Sequence, residues 1–96
     1  MNGTYRLMMQ TPFGPQRGVL AIKEQNGKVN GFLKALGDQQ PVSGRVQDEK
    51  LLLQGMLKQG NTRLDYSAEG VFEGDKIRIR VKTKFGVFQL YGEKIK

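Results

Sequence analysis

Few side chains of this chain can do covalent chemistry. None of its 96 residues is histidine, cysteine or tryptophan. That removes thiol nucleophiles, disulfides, His-based triads and the Cys/His ligand sets of zinc sites. The carboxylates are Glu24, Asp38, Asp48, Glu49, Asp65, Glu69, Glu73, Asp75 and Glu93. They fall in turns, at a strand end or on outward positions, so no pair converges in a dry cavity as general acid catalysis requires. Ser43 and Ser67 read as outward and Thr83 as inward but alone. No D-x-D-x-D loop suits calcium, and no G-x-x-x-x-G-K-[ST] stretch cradles phosphate. The expectation is no catalytic residue, no metal, no cofactor and no enzymatic activity.

Three other groups of residues can bind. Lys76, Arg78, Arg80, Lys82 and Lys84 alternate with Ile77, Ile79, Val81 and Thr83. On a strand such cations share one face at intervals of about 6.6–6.8 Å, close to the phosphate spacing of an extended nucleic acid. Tyr91, expected opposite Arg80, adds one stacking ring to this nucleic-acid or polyanion reading. Facing carboxylates at Asp65, Glu69 and Glu93 favour the competing reading, a solvated, charge-paired surface. Inward, Tyr5, Leu20, Leu33, Leu53, Tyr66, Ile79 and Phe88 line a space for a small apolar ligand. The Tyr5 and Tyr66 hydroxyls would be its polar handles. A solid core is the competing and favoured reading there. Outward, Met8, Val19, Ala21 and Phe32 form an expected apolar patch for a homodimer or a protein partner.

The elements that must position these groups are strands. No window holds helical apolar spacing with caps, whereas period-two alternation runs through Leu51-x-Leu53, Leu64-x-Tyr66-x-Ala68 and Ile77-x-Ile79-x-Val81. Turns are expected at Phe13-Gly14, Asn26-Gly27, Gly37-Asp38, Asp48-Glu49, Gly60-Asn61, Gly74-Asp75 and Phe85-Gly86. Their spacings of 13, 11, 11, 12, 14 and 11 residues imply eight strands. The registers these turns impose place Met8 opposite Val19, Leu7 opposite Leu20, Leu33 opposite Val42 and Val81 opposite Leu90. In every hairpin one apolar set then falls on a common face. Gly18, Gly31, Gly44, Gly55, Gly70 and Gly92 join that inner face, Gly31 opposite Gly44. Inward glycines let a sheet coil tightly.

The expected fold is all-β, one domain over residues 1–96: an eight-stranded antiparallel up-and-down meander curled into a closed or nearly closed barrel. Whether the last strand meets the first is left open. The net charge of +7 divides almost evenly, with 6 basic and 3 acidic residues in the first half and 10 and 6 in the second, so no charged tail is implied. No apolar run approaches the roughly 20 residues of a membrane helix. The start, Met1 to Arg6, lacks a signal-peptide pattern, so a cytoplasmic protein is expected. Apolar-inside patterning is the inverse of an outer-membrane barrel.

Thr11-Pro12-Phe13-Gly14 and Phe85-Gly86-Val87-Phe88, with the strand rhythm, resemble small bacterial calycin-like meander barrels of uncharacterised function. The wider calycin group includes lipocalins, fatty-acid-binding proteins and avidins. The chain has neither the lipocalin G-x-W motif nor the tryptophans of an avidin pocket, so the resemblance implies no particular site residue. It implies a non-catalytic barrel that binds a small apolar ligand or serves as an interaction scaffold.

Overall fold

The computed structural model describes residues 2–11, 14–35, 38–59 and 61–95. Eight strands follow in order: β1 (Asn2–Thr11), β2 (Gly14–Gln25), β3 (Lys28–Ala35), β4 (Asp38–Gln47), β5 (Lys50–Gln59), β6 (Thr62–Glu73), β7 (Lys76–Thr83) and β8 (Gly86–Lys94). Each pairs antiparallel with the next. β8 returns to β1 from Tyr5↔Lys94 to Met9↔Leu90, closing the barrel. Closure leaves no terminal edge strand. The body measures 35 × 22 × 22 Å.

Four hairpins have the expected register: Leu20↔Leu33, Val46↔Leu51, Gly55↔Tyr66 and Phe72↔Ile77. Three turns sit one residue earlier than expected. Thr11 pairs with Gly14, Ala35 with Asp38 and Thr83 with Gly86. Gly14 and Gly86 therefore begin their strands, at φ +101° and +124°, rather than occupying the turn. A glycine just after a two-residue loop serves the same need for positive φ as one inside it. At Thr83 the side chain assists: Oγ1 accepts from the Phe85 N–H at 3.0 Å and donates to the Gly86 carbonyl at 3.2 Å. The expected turn residues Phe13, Gly37 and Gly60, and the Leu57 side chain, lie outside what is described.

Moving a turn by one residue moves each partner by two. Leu7 thus faces Gly18, Gly31 faces Val42, Val29 faces Gly44 and Val81 faces Phe88. Every residue stays on its face, because side chains alternate with period two. The buried core is the inward set, including Tyr5, Leu7, Leu20, Ile22, Val29, Leu51, Leu53, Ile77 and Ile79.

The inner glycines act in two ways. A methyl at Gly31 would lie 1.9 Å from the Ala21 carbonyl oxygen, and one at Gly44 would lie 1.8 Å from that of Leu52. Neighbouring backbone occupies the side-chain position, which marks tight coiling of β2–β3 and β4–β5. At Gly55 the space is filled instead by the ring of Tyr66, its partner across the strands.

Gly31→Ala or Gly44→Ala should cost about 3 kcal/mol or more, because backbone must move to admit the methyl. At Gly70 the nearest atom is not backbone but the end of a side chain, Ile77 Cδ1 at 3.2 Å, so Gly70→Ala should cost far less. Urea unfolding of the three variants tests this ranking, and equal losses would remove the close-approach account. The Asp48-Glu49 turn holds two non-glycine residues at φ 53° and 64°. Glu49→Gly should stabilise by about 0.5–1 kcal/mol, the left-handed penalty relieved exceeding the added chain entropy. A thermal melt checks this.

Candidate functional site

The described inward residues are more fully covered towards one end of the barrel than towards the other. The better covered end gathers the start of β1, the end of β8 and the turns at 26–27, 48–49 and 74–75. Three backbone bonds staple it: Val46 N–H to the Gly27 carbonyl (2.8 Å), Lys94 N–H to that of Asp75 (2.7 Å) and Ile95 N–H to that of Thr4 (2.8 Å). Beneath them the Tyr5 and Phe72 rings meet at 6.0 Å between centroids. Leu51 and Ile77 are fully enclosed.

Towards the other end the inward residues lose their cover. Met9, Gln16, Leu33, Gln40, Leu64 and Val81 are half-buried, and Phe88 is 38% exposed. They belong to one tier, two positions from the loops, as the pairs Met9↔Gln16, Leu33↔Gln40 and Val81↔Phe88 show. This tier is an apolar mouth with two amides. Sequence reasoning missed Gln16 and Gln40 as members, although their even spacing from Leu20 and Val42 gives them inward parity.

The wall is split beside the mouth. β4 and β5 pair only from Gln47↔Lys50 to Ser43↔Gln54, while both strands run on to the mouth. Pro41, the next outward residue of β4, has no N–H to extend that ladder. A hollow of about 440 Å³ lies at the split, with Phe32, Pro41 and Met56 on its outer rim and Gly31, Val42 and Gly55 behind them.

Tyr66 stands between the packed half and the mouth. It is 9% exposed, its ring covers Gly55, and its hydroxyl has no hydrogen-bond partner among the described residues. Burial raises its pKa, so the hydroxyl stays a donor at neutral pH. The other sequence-derived interior residues divide along the axis. Tyr5, Leu20, Leu53 and Ile79 are packed into the core, and only Leu33 and Phe88 belong to the mouth. No charged side chain is buried among the described residues.

The expected outer patch keeps one of its two facing pairs. Ala21 does face Phe32, but Met8 faces Arg17, and Val19 lies between Arg6 and Lys34. The β1–β2 turn comes one residue earlier than its glycine suggested, which brings cations between these apolar residues.

The basic stripe is also rearranged. Lys76, Arg78, Arg80 and Lys82 project outward from β7, whereas Lys84 is in the turn, its ammonium 5.2 Å from the Phe85 ring centroid. Tyr91 faces Arg78 rather than Arg80, and Glu93 faces Lys76 rather than Arg78. Arg78 instead pairs with Glu73, and Glu69, although opposite Arg80, pairs with Lys50 at 3.2 Å. Such exposed pairs are worth about 0–1 kcal/mol each.

The eight-stranded meander barrel has a solved counterpart. A crystal structure of apo lipid binding protein 8 from Caenorhabditis elegans is similar to it, with a TM-score of 0.57 and 8% identity. The similarity covers 82% of this chain and 71% of that one, and at this identity it speaks for the fold alone. No protein-family model and no curated protein sequence matches the chain.

Tyr66 and Tyr5 both have raised pKa values. Burial is the cause at Tyr66. At Tyr5 burial comes first and the Asp75 carboxylate second. A group that holds its proton more tightly when folded gives stability that is complete below its unfolded pKa, here 10.0, and lost as pH climbs through the folded value. Stability should therefore fall as pH rises above about 10. Tyr66→Phe should flatten part of that fall. Urea midpoints of the two proteins between neutral and strongly alkaline pH check it.

Proposed function

We propose that this is a non-catalytic binding barrel that takes one small, uncharged, mostly apolar molecule at its open end. The observation that carries this reading is the axial asymmetry. At the stapled end one residue of each inward hairpin pair is buried (Val29, Leu51 and Ile77, beside half-buried Glu24, Val46 and Phe72), whereas at the mouth none of Met9, Leu33, Leu64, Val81 and Phe88 is. Apolar surface is left partly uncovered there, beside the Gln16 and Gln40 amides, and a ligand would remove it from water at about 25 cal/mol per Å². The split between β4 and β5 gives such a molecule a lateral way in.

The chemistry of the pocket selects the ligand. A buried carboxylate needs an inward cation, and the described interior holds none. An uncharged oxygen needs only a donor, and the Tyr66 hydroxyl is an unpartnered one at the inner boundary of the mouth. Gln16 and Gln40 supply amides at the rim. The ligand class that fits is a neutral apolar molecule with one hydrogen-bond acceptor, such as an alcohol, ketone or ester. The similar fold of a lipid binding protein is consistent with such a use.

Native mass spectrometry of freshly purified protein should find a retained small molecule at one per chain. Nile red, a neutral apolar probe, should bind at the same ratio, and Val81→Lys should abolish its binding while leaving the circular dichroism unchanged. A long-chain alcohol should displace the dye better than the corresponding fatty acid. Tyr66→Phe should weaken the alcohol about two- to tenfold, the worth of one neutral hydrogen bond. Dye binding unaffected by Val81→Lys would reject the mouth as the site, and a preference for the acid would reject the ligand class.

A further inference from the structure

We infer that the outer wall of the barrel, at a place separate from the mouth, binds the backbone of a single-stranded nucleic acid. A saddle of about 850 Å³ crosses the outside from β3 to β8. Lys28 and Arg45 stand on one side of it, and Arg78, Arg80 and Lys82 on the other. Five of the chain's sixteen basic side chains thus line it, with one of its nine acidic ones, Glu69. Most of the net charge is therefore concentrated on one concave face.

These cations are poorly neutralised. Glu69 is engaged by Lys50 and Arg78 by Glu73, but Lys28, Arg45, Arg80 and Lys82 make no ion pair among the described residues. Lys28 and Arg45 are direct cross-strand partners. Two like charges facing each other on a sheet cost stability, and an anion between them reverses that cost. The sequence-adjacent stripe on β7 hides this arrangement, because Lys28 and Arg45 reach the same saddle from distant parts of the chain.

The shape and floor choose among anions. The floor is concave, so a flat bilayer cannot reach it. From β4 to β7 is three inter-strand steps, about 14 Å along the wall. That width seats one polymer strand and is narrower than a duplex. The floor carries an unbroken row of uncharged hydrogen-bonding side chains, Asn30, Ser43, Gln54 and Ser67, each facing the next across the sheet. Amides and hydroxyls can donate to phosphate oxygens and pair with base edges, which carry both donors and acceptors. Beside Arg78 the Tyr91 ring is 54% exposed, and its hydroxyl is held by the Gln89 side chain at 3.2 Å. It offers a base a stacking surface.

Dye-labelled oligo(dT) of twelve nucleotides, titrated with the full chain by fluorescence anisotropy at several salt concentrations, tests the site. Four unpaired cations should give a log–log salt slope of about −3 for a single strand. The exposed double variants Lys28→Gln/Arg45→Gln and Arg80→Gln/Lys82→Gln should each reduce that slope by about 1.4. Tyr91→Ala should weaken binding about fivefold or more. Circular dichroism confirms that each variant is folded, and Nile red binding at the mouth should be unchanged in all of them. A slope that responds to the β7 pair but not to Lys28→Gln/Arg45→Gln would overturn the saddle. So would equal affinity for poly-glutamate, for a duplex of the same length or for phosphatidylglycerol vesicles.

Discussion

The carbonyl oxygens of Ala21 and Leu52 stand where side chains at positions 31 and 44 would otherwise project inward. This close approach of backbone to backbone sets the curvature on which the other features depend. A sheet that coils this sharply can bring β8 back to β1 within eight strands, and closure then leaves the wall without terminal edges. The interior that results is narrow, so ordinary aliphatic side chains fill the stapled half. Where extra room would open at Gly55, the Tyr66 ring closes it.

The same curvature separates two surfaces of opposite character. Inside, the described core contains no buried charge. Outside, the waist of the barrel is concave, and cations from strands far apart in sequence gather around it. Each strand contributes to both through simple alternation: Ile79 packs inward between Arg78 and Arg80, and Val29 does so between Lys28 and Asn30. Apolar burial is thus kept apart from the surface cations by the pleat itself.

Much of the fold was legible in the residues because facing was legible. The period of two is a local property, and Asn26-Gly27 and Gly74-Asp75 fix the turns they occupy. Thr11-Pro12-Phe13-Gly14 and Thr83-Lys84-Phe85-Gly86 misled by one residue, since a glycine that follows a loop looks the same as one inside it. The error left every inward residue inward but set Met8 opposite Arg17 instead of Val19 and moved Tyr91 to Arg78. The sites were less legible. The mouth depends on which tier of the barrel is covered, the split on a ladder that stops before Pro41, and the saddle on the meeting of Lys28 and Arg45 with Arg80 and Lys82. None of these is a property of neighbouring residues.

The stapled floor has one further consequence. The three bonds from Val46, Lys94 and Ile95 at that end join main-chain atoms, so they do not depend on side-chain identity. The mouth, by contrast, is built of half-covered side chains that contribute less to cohesion. Such a division makes the rim evolvable. Descendants of this chain can exchange residues at positions 9, 33, 64 or 81, while the main-chain anchorage at the other end is inherited unchanged.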